Sequence, residues 1–338
     1  MADVLLCDNE SHPMAVEDFR ERLSGHAVDY VELPTGSLNV TIDTDRYDLS
    51  SYRGIYLRVG EVTAAVLDAA PNLEIVATVG SGYDHIDVEA ATERGVLVTH
   101  TPEAPAPGVV EHTFGLAISL LHELPSLFDA TAAGEWADAR RSVAELCERT
   151  VGVVGLGTIG FRVATAARRS FDADVIAYDP YVTGDLESDV YPRAEREEVE
   201  SEGIELVDRA ELFRAADLVT LHVPLTERTR GSVGHAELAA LEGGYLVNTS
   251  RGPVVDEDAL VAAVEDDRLA GVALDVMETE PPDPSNPLLG APSVYVTPHV
   301  AGGTEGLTDR SVRLNAERIR TALAGGRPDG LLNPAVLG

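Results

Sequence analysis

Three glycines follow a short apolar run near the middle of the sequence. Gly155, Gly157 and Gly160 have the spacing G-x-G-x-x-G, between the apolar segment 150–154 and a helical pattern that extends to about Ser170. In this spacing the first glycine permits a tight turn, the second lets the backbone approach a pyrophosphate, and the third allows close packing of helix on strand. The helix N-terminus then faces the anion. The motif predicts a dinucleotide site.

An acidic residue closes the next apolar run. Asp179 lies roughly 20 residues beyond Gly160, where a carboxylate accepts hydrogen bonds from ribose hydroxyls and repels a 2′-phosphate. This position favours NAD over NADP as the cofactor, although Arg168 and Arg169 on the preceding helix could soften the preference. The alternative is a tight glycine turn in which Asp179 is only a cap at the end of a strand.

Short apolar runs alternate with helical patterns, which is typical of parallel strands joined by crossover helices. We expect an α/β protein with two doubly wound parallel-sheet domains. A Rossmann-type NAD-binding domain is predicted at 103–302, and a flavodoxin-like substrate-binding domain at 1–102 with 303–338. Strands are predicted at 4–8, 26–33, 54–59, 73–80 and 95–100 in one sheet, and at 150–155, 174–179, 217–223, 244–250, 271–276 and 294–298 in the other.

Other segments carry weaker expectations. Prolines 102, 105 and 107 predict irregular backbone at a domain crossing. Residues 109–124 have an apolar helical pattern wide enough for burial against another domain or subunit, and 304–324 also look helical. The acidic segment 195–205 is expected to be a solvated loop or helix face without chemistry. Because the chain ends soon after residue 324, we expect no appended regulatory domain.

The composition combines an ordinary interior with a highly acidic surface. The 338 residues are 44% hydrophobic, but 58 Asp and Glu oppose 25 basic residues, all of them Arg, for a net charge of −33. Such a field repels nucleic acid and anionic lipid, so neither is an expected partner. It also destabilises a compact chain unless molar salt screens it, so the surface resembles that of halophilic proteins. Solvation explains this charge better than a specific cation site does.

The cysteines and the N-terminus indicate a cytoplasmic protein. Cys7 and Cys147 are the two cysteines, and their spacing is not that of a metal site, so no metal is expected. The N-terminus lacks a signal-peptide pattern, and no run of about 18 apolar residues predicts a membrane helix.

The sequence as a whole resembles the D-isomer-specific 2-hydroxyacid dehydrogenase family. Seven blocks carry the resemblance in matching order: GSGYDHID at 80–87, VVEH at 109–112, VGVVGLGTIG at 151–160, HVPLTERTRG at 222–231, NTSRGPVVDEDAL at 248–260, LDVMETEPP at 274–282 and TPHVAGGT at 297–304. The resemblance implies a phosphoglycerate dehydrogenase-like oxidoreductase with a small 2-oxo or 2-hydroxy acid as substrate. It also implies a homodimer formed through helices of the cofactor domain.

The resemblance gives catalytic roles to Arg251, Glu280 and His299. A guanidinium can hold a carboxylate and a ketone oxygen together, and an imidazole can pass a proton to or from that oxygen near neutral pH. Glu280 would bond to the other ring nitrogen, fix the tautomer and favour the imidazolium. Taken singly, the three could be a surface ion pair, a turn residue and a loop side chain. Their occurrence as an ordered set favours the catalytic interpretation.

The resemblance also implies further contacts. Substrate would contact Arg251 and the backbone N–H groups of Ser81 and Gly82. Arg58 would reach a distal anionic group of the substrate, or would alternatively be an ordinary charge at the edge of the cleft. Asp275 would bond to the nicotinamide carboxamide. The expected cofactor-binding residues are Gly155, Gly157, Thr158, Ile159, Gly160, Asp179, His222, Val223, Pro224, Thr229, Thr249, Ser250, Asp275 and His299.

The sequence departs from the family after the fifth strand. Many members have Asn-x-Pro-Gly there, whereas this chain has His100, Thr101, Pro102 and Glu103, so the acidic Glu103 puts the substrate class in doubt. Formate dehydrogenases carry Gln at the position of Glu280, which disfavours that activity. An NAD-responsive, non-catalytic binding protein similar to corepressors of this fold is the alternative function. The acidic surface argues against it.

Overall fold

The computed structural model describes residues 2–8, 13–33, 40–137, 140–186 and 194–338. Within these ranges, residues up to Pro105 together with Thr304–Gly338 form one compact unit, and residues from Ala106 to Gly303 form a second. Each unit contains a parallel sheet with helices on both faces. The predicted α/β class with two doubly wound sheets is confirmed. The assignment of substrate binding to the first unit stays a prediction.

Each predicted strand forms at or near its expected position. The first sheet contains β1 (Val4–Asp8), β2 (Val28–Glu32), β3 (Gly54–Leu57), β4 (Ile75–Val79) and β5 (Leu97–Thr101). The second contains β6 (Thr150–Val154), β7 (Asp174–Tyr178), β8 (Glu205–Leu206), β9 (Leu218–Leu221), β10 (Tyr245–Asn248), β11 (Gly271–Leu274) and β12 (Val294–Val296). Several strands are continuous apolar runs because parallel sheets are covered on both faces.

The connections between strands are mostly helical. The helices are α1 (Pro13–Arg22), α2 (Ala64–Asp68), α3 (Val88–Glu93), α4 (Ala106–Leu121), α5 (Leu124–Ala132), α6 (Thr158–Phe171), α7 (Pro180–Thr183), α8 (Arg196–Ser201), α9 (Arg209–Ala215), α10 (His235–Ala240), α11 (Glu257–Glu265) and α12 (Glu305–Leu323). The helix predicted at 304–324 is α12, with Thr304 and Ala324 as its caps. It returns to the first unit and packs on that sheet.

The strand orders determine where functional residues can meet. The first sheet has the order β2-β1-β3-β4-β5, which is flavodoxin-like, and the second has β12-β11-β10-β9-β6-β7-β8, which contains the Rossmann order. In such sheets ligands bind beyond the carboxyl ends of the strands, where the order reverses. In the second sheet this point lies between β6 and β9. The register aligns Val154 with Leu221 and with Tyr178, so the residues that follow these strands emerge at the same level.

Alternation along the strands fills a core on each face of each sheet. In β1, Leu5 and Cys7 belong to one core and Val4 and Leu6 to the opposite one, because successive side chains point to opposite faces. Burial raises the pKa of the Cys7 thiol to about 12. Cys7 is therefore an inert core residue.

One local expectation, the irregular backbone around Pro107, was wrong. Pro107 lies inside the first turn of α4, where a proline is tolerated because the first N–H groups of a helix have no intrahelical acceptor. The backbone after Pro105 is therefore helical and not irregular. The acidic segment near 195–205 is the short exposed helix α8 followed by the edge strand β8, of which the helix was one of two expected forms.

No helix in the described ranges is long and apolar enough to cross a membrane. Those ranges also contain no group of three or more His, Cys, Asp or Glu side chains that could hold a metal ion. The cytoplasmic location stays a prediction.

Candidate active site

The glycine loop connects β6 to α6. Gly155 has φ +93°, and a Cβ at this position would lie 2.6 Å from the backbone oxygen of His222. A Cβ on Gly160 would lie 1.9 Å from the backbone oxygen of Gly155. Both distances are far shorter than an ordinary contact. Only glycine therefore allows the loop, the helix and the segment after β9 to approach this closely.

The N-terminus of α6 can receive an anion. Gly157 is the N-cap residue and provides no side-chain cap, and Thr158 and Ile159 in the first turn are only half-buried. The first N–H groups of a helix lack intrahelical partners and lie at the positive end of the helix dipole. The pyrophosphate of a dinucleotide fits such a terminus.

Asp179 joins the glycine loop to the end of β7. Its Oδ2 accepts a hydrogen bond from the Leu156 N–H at 2.8 Å, and its Oδ1 accepts one from the Tyr181 N–H at 2.9 Å. Asp179 therefore does cap the strand end, and this role does not exclude a contact with the cofactor. A carboxylate has about four acceptor positions, so two remain for ribose hydroxyls. The guanidinium groups of Arg168 and Arg169 are each paired with an acidic side chain of the second unit.

The segment after β9 is held by its own hydrogen bonds. The Nε2 atom of His222 lies 2.9 Å from the Thr220 hydroxyl, and burial lowers the pKa of His222 to about 3, so the ring is neutral. Thr229 donates a hydrogen bond of 2.6 Å to the carbonyl of Pro224. Val223 borders the glycine loop, since a Cβ on Gly155 would lie 2.9 Å from its side chain. The predicted role of this segment at the adenosine half stays a prediction.

A buried amide fixes the segment after β10. The Oδ1 atom of Asn248 accepts hydrogen bonds from the Ser250 N–H at 3.0 Å and from the Ser250 hydroxyl at 2.7 Å, and its Nδ2 donates to the Arg251 carbonyl at 3.0 Å. The hydroxyls of Thr249 and Thr113 lie 3.1 Å apart. The guanidinium of Arg251 donates to the Ser250 carbonyl at 2.9 Å. The backbone that carries Arg251 is therefore firmly held.

A close backbone contact brings this segment against the one after β11. A Cβ on Gly252 would lie 1.9 Å from the backbone oxygen of Met277, so no larger residue fits there. Met277 in turn donates its N–H to Glu280 Oε1 at 3.1 Å. The glycine after Arg251 thus places that guanidinium near the loop that carries Glu280.

Glu280 and His299 form a hydrogen-bonded pair. Glu280 Oε2 lies 2.7 Å from His299 Nδ1, and the two side chains are 32% and 33% exposed. Burial would raise the pKa of the Glu280 carboxyl, but the hydrogen bond and charge of His299, the Met277 N–H and the charge of Arg251 together lower it. Glu280 is therefore an anion at neutral pH. The Nε2 edge of the His299 ring is left for other contacts.

Asp275 organises the turn that carries His299. It is 1% exposed, and its carboxylate accepts hydrogen bonds from the Thr297 hydroxyl at 2.6 Å and from the N–H groups of Val300 and Ala301 at 2.9 Å each. Its backbone oxygen accepts the His299 N–H at 2.9 Å. These bonds bracket His299, whose φ of 51° is uncommon for a residue other than glycine. The carboxamide contact predicted for Asp275 stays a prediction.

His112 lies in the VVEH segment at 109–112 and has no role predicted from the sequence. Its Nε2 atom lies 3.0 Å from the Thr297 hydroxyl and 3.4 Å from Asp275 Oδ1. It therefore extends the network beneath the His299 turn. The available signal was one of the two histidines, His112 and His122, in the apolar pattern of 109–124, most of which forms α4.

The predicted substrate-contacting backbone in the first unit follows β4. Gly80 has φ +89°, and Ser81 and Gly82 are half-buried. Among the described residues, the N–H groups of Ser81 and Gly82 donate no hydrogen bond. Two adjacent N–H groups of this kind can bind a carboxylate.

Arg58 is not at an exposed edge. Its side chain is 6% exposed, and its Nε lies 2.7 Å from Asp8 Oδ2 at the point where the order of the first sheet reverses. Its Nη1 contacts the hydroxyls of Tyr56 and Ser311 at 3.5 Å and 3.4 Å. A buried carboxylate therefore neutralises this guanidinium. The contact with a distal anionic group stays a prediction.

Comparisons with known proteins identify the family to which the second unit is similar. A family model described as D-isomer specific 2-hydroxyacid dehydrogenase, NAD binding domain, matches residues 114–301, which lie in the second unit. That unit is therefore an NAD-binding domain.

Relatives and solved structures extend the similarity. A glyoxylate reductase from Thermofilum pendens is 38% identical over 287 residues, which are 83% of this chain and 81% of the relative. A D-3-phosphoglycerate dehydrogenase from Methanocaldococcus jannaschii is 38% identical over 275 residues, or 81% of this chain and 50% of the relative. The chain thus spans about half the length of that relative. The crystal structure of a glyoxylate reductase from Paecilomyes thermophila matches with a TM-score of 0.83 and 26% identity over 99% of both chains.

Proposed function

Because the chain belongs to the D-isomer specific 2-hydroxyacid dehydrogenase family, we propose that it transfers a hydride between NAD(H) and C2 of a small D-2-hydroxy acid or its 2-oxo acid. The observation that carries the proposal is the 2.7 Å contact between His299 and Glu280. This pair and Arg251 follow strands of the sheet whose carboxyl edge also bears the glycine loop.

The cofactor would be held by the α6 terminus and by Asp179. When bound, NADH supplies the hydride that adds to the carbonyl carbon. Arg251 binds the carboxylate and the ketone oxygen of the substrate and stabilises the negative charge that develops on that oxygen. A guanidinium suits this task because its planar fork can donate to both oxygens at once.

His299 donates a proton from Nε2 to the ketone oxygen during reduction and accepts one from the hydroxyl during oxidation. Nε2 is the atom assigned to this transfer because Nδ1 faces Glu280. The Glu280 carboxylate holds the ring orientation and stabilises its protonated form. Asp275 keeps the turn in place without contacting the reacting atoms.

The pairing of Arg58 supports a small, unphosphorylated substrate. The relatives named above include both a glyoxylate reductase and a D-3-phosphoglycerate dehydrogenase, so their names do not choose between the two. Arg58 is committed to Asp8, so it leaves no free charge for a phosphate. We therefore favour glyoxylate or a similarly small 2-oxo acid, with NAD preferred over NADP because of the Asp179 carboxylate.

Exposed aromatic side chains support the proposed homodimer. Phe128 in α5 is 66% exposed and Trp136 is 71% exposed, and none of the residues of α5 is buried. Aromatic side chains are enriched at the contact surfaces of proteins. Light scattering after gel filtration in molar KCl, the condition suited to the acidic surface, should give twice the 35.9 kDa chain mass.

The proposal is tested by NADH oxidation with glyoxylate, hydroxypyruvate, pyruvate and phosphohydroxypyruvate in molar KCl. We expect turnover with glyoxylate and the weakest turnover with the phosphorylated acid. His299→Gln should reduce kcat by at least about a hundredfold and leave the Kd of NADH nearly unchanged, because general acid catalysis is worth about that much. No turnover with any of the four acids would instead favour the NAD-responsive binding protein. A His299→Gln variant with the wild-type rate would remove the acid/base assignment.

A further inference from the structure

We propose that His100 is a positioning residue that holds the Ser81–Gly82 peptide group in the orientation that binds the carboxylate of the substrate. The inference rests on the proposed function, because it concerns the backbone that would receive the 2-oxo acid. His100 has no binding role predicted from the sequence.

The end of β5 clamps the loop after β4. The N–H of Gly80 donates to the Thr101 hydroxyl at 3.0 Å, and the N–H of Thr101 donates to the Gly80 carbonyl at 2.9 Å. The Thr101 hydroxyl also donates to the Thr78 carbonyl at 3.2 Å. The peptide groups on both sides of Gly80 are therefore fixed by one residue of the neighbouring strand.

His100 fixes the next peptide group. Its Nδ1 lies 3.0 Å from the Ser81 carbonyl oxygen, and a carbonyl can only accept, so Nδ1 carries the proton. The Ser81 carbonyl and the Gly82 N–H belong to the same planar peptide group. A hydrogen bond to that oxygen therefore sets the direction of the Gly82 N–H and increases its polarity. The ring thereby aims the N–H that is predicted to contact the substrate.

His100 is itself held from several sides. Its N–H donates to the Gly330 carbonyl at 3.0 Å, and its carbonyl accepts a hydrogen bond from Arg318, a side chain only 4% exposed in α12. Arg318 also pairs with Glu103 at 3.3 Å, and the Tyr83 ring meets the imidazole edge-on with centroids 5.9 Å apart. Glu103 therefore neutralises a buried arginine. Its negative charge is therefore no longer an argument against a 2-oxo acid as the substrate.

The surroundings of His100 Nε2 explain why the proton lies on Nδ1. Among the described residues, Nε2 of His100 is buried and has no hydrogen-bond partner. Protonation there would bury an unpaired N–H beside the Arg318 charge. Burial, and then Arg318, accordingly lower the pKa of His100, although the Ser81 carbonyl and Glu103 oppose the shift. The ring stays neutral with its proton on Nδ1.

Three substitutions separate positioning from packing. In His100→Asn the amide nitrogen occupies the place of Nδ1, in His100→Gln it lies one bond farther out, and His100→Leu has no donor. We expect His100→Leu and His100→Gln to raise both the KM for glyoxylate and the Kd of oxamate roughly threefold to tenfold, the value of one net hydrogen bond. His100→Asn should stay within about twofold of wild type, and the Kd of NADH should change in none of them.

The outcomes distinguish this inference from the proposed function. If the wild type turns over glyoxylate but His100→Leu keeps the wild-type KM and oxamate Kd, the inference is wrong and the function stands. If His100→Asn is as impaired as His100→Leu, His100 only fills space and the inference is again wrong. A wild type that binds oxamate without turnover would refute the function, and the oxamate Kd values of the variants would still decide the role of His100. A wild type that neither turns over any 2-oxo acid nor binds oxamate would remove both.

Discussion

Replacing Glu280 by Gln removes one charge from the proposed catalytic pair and leaves its shape nearly unchanged. In the wild type, one carboxylate oxygen faces His299 Nδ1 at 2.7 Å and the other accepts the Met277 N–H at 3.1 Å. A Gln side chain has a single acceptor for these two places. If its oxygen faces Met277, its NH₂ group faces Nδ1 and forbids a proton there. If its oxygen faces His299, two donors meet at Met277, and the protonated ring has lost its counter-charge.

The size of the effect follows from the kind of hydrogen bond that is lost. A bond to a charged group is worth about 1.5–3 kcal/mol and an ordinary one about 0.5–1.5 kcal/mol, so the loss is about 1–1.5 kcal/mol. Since both side chains are about one-third exposed, solvent screening keeps the loss near the lower end. At about 1.4 kcal/mol per pH unit, the alkaline limit of the reduction should move down by roughly one pH unit.

The assay is the pH profile of kcat for glyoxylate reduction at saturating NADH, from about pH 6 to about pH 9 in molar KCl. Glu278→Gln is the matched control. Glu278 is an exposed side chain two residues before Glu280, and its replacement removes the same charge. The control should keep the wild-type profile, while Glu280→Gln should lose activity at lower pH. An alkaline limit that does not move in Glu280→Gln, or that moves equally in both variants, would refute the pairing as a source of catalytic acidity.

Three further predictions concern residues around the same sheet edge. Asp275→Asn turns an acceptor into a donor within three hydrogen bonds, so it should lower the free energy of unfolding by about 1–3 kcal/mol and lower Tm. It should also lower kcat about tenfold, and a wild-type kcat would contradict the positioning role of Asp275. Asp179→Asn should raise the ratio of kcat/KM for NADPH to that for NADH by about tenfold, and an unchanged ratio would show that Asp179 does not select the cofactor. Burial lowers the pKa of His222 to about 3, below its ordinary value of 6.5, so its contribution to stability is complete above pH 6.5 and falls as the pH drops toward 3. Below pH 6.5 the wild type should therefore lose about 1.4 kcal/mol of unfolding free energy per pH unit, and His222→Gln should lack this loss. Chemical denaturation of both proteins at pH 7, 6 and 5 measures the difference, and parallel pH dependences would disprove the role of His222.

Much of the fold was accessible from the sequence because its signals are local. Apolar runs bounded by Gly and Pro gave the strands, and the G-x-G-x-x-G spacing gave the loop at the first turn of α6. Pro107 was misjudged, since whether a proline breaks a helix or begins one depends on where the helix starts. The pairing of Glu280 with His299 came from family resemblance, because residues 19 positions apart carry no local signal that they touch.

The sequence by itself determined which chemistry was available: a glycine loop for an anion, a guanidinium, an imidazole and a carboxylate in fixed order along the chain. The tertiary structure alone decided which charged and polar groups are already paired with other groups of the protein. Arg58 looked free in the sequence and is neutralised by Asp8, fifty residues earlier, because β1 and β3 are neighbours at the point where the sheet order reverses. His100 looked like a departure from a family pattern and is a buried donor to the Ser81 carbonyl, because β4 and β5 are parallel and end at the same edge. Hydrogen bonds and ion pairs act over about 3 Å in space, and only the fold brings distant positions of the chain within that range.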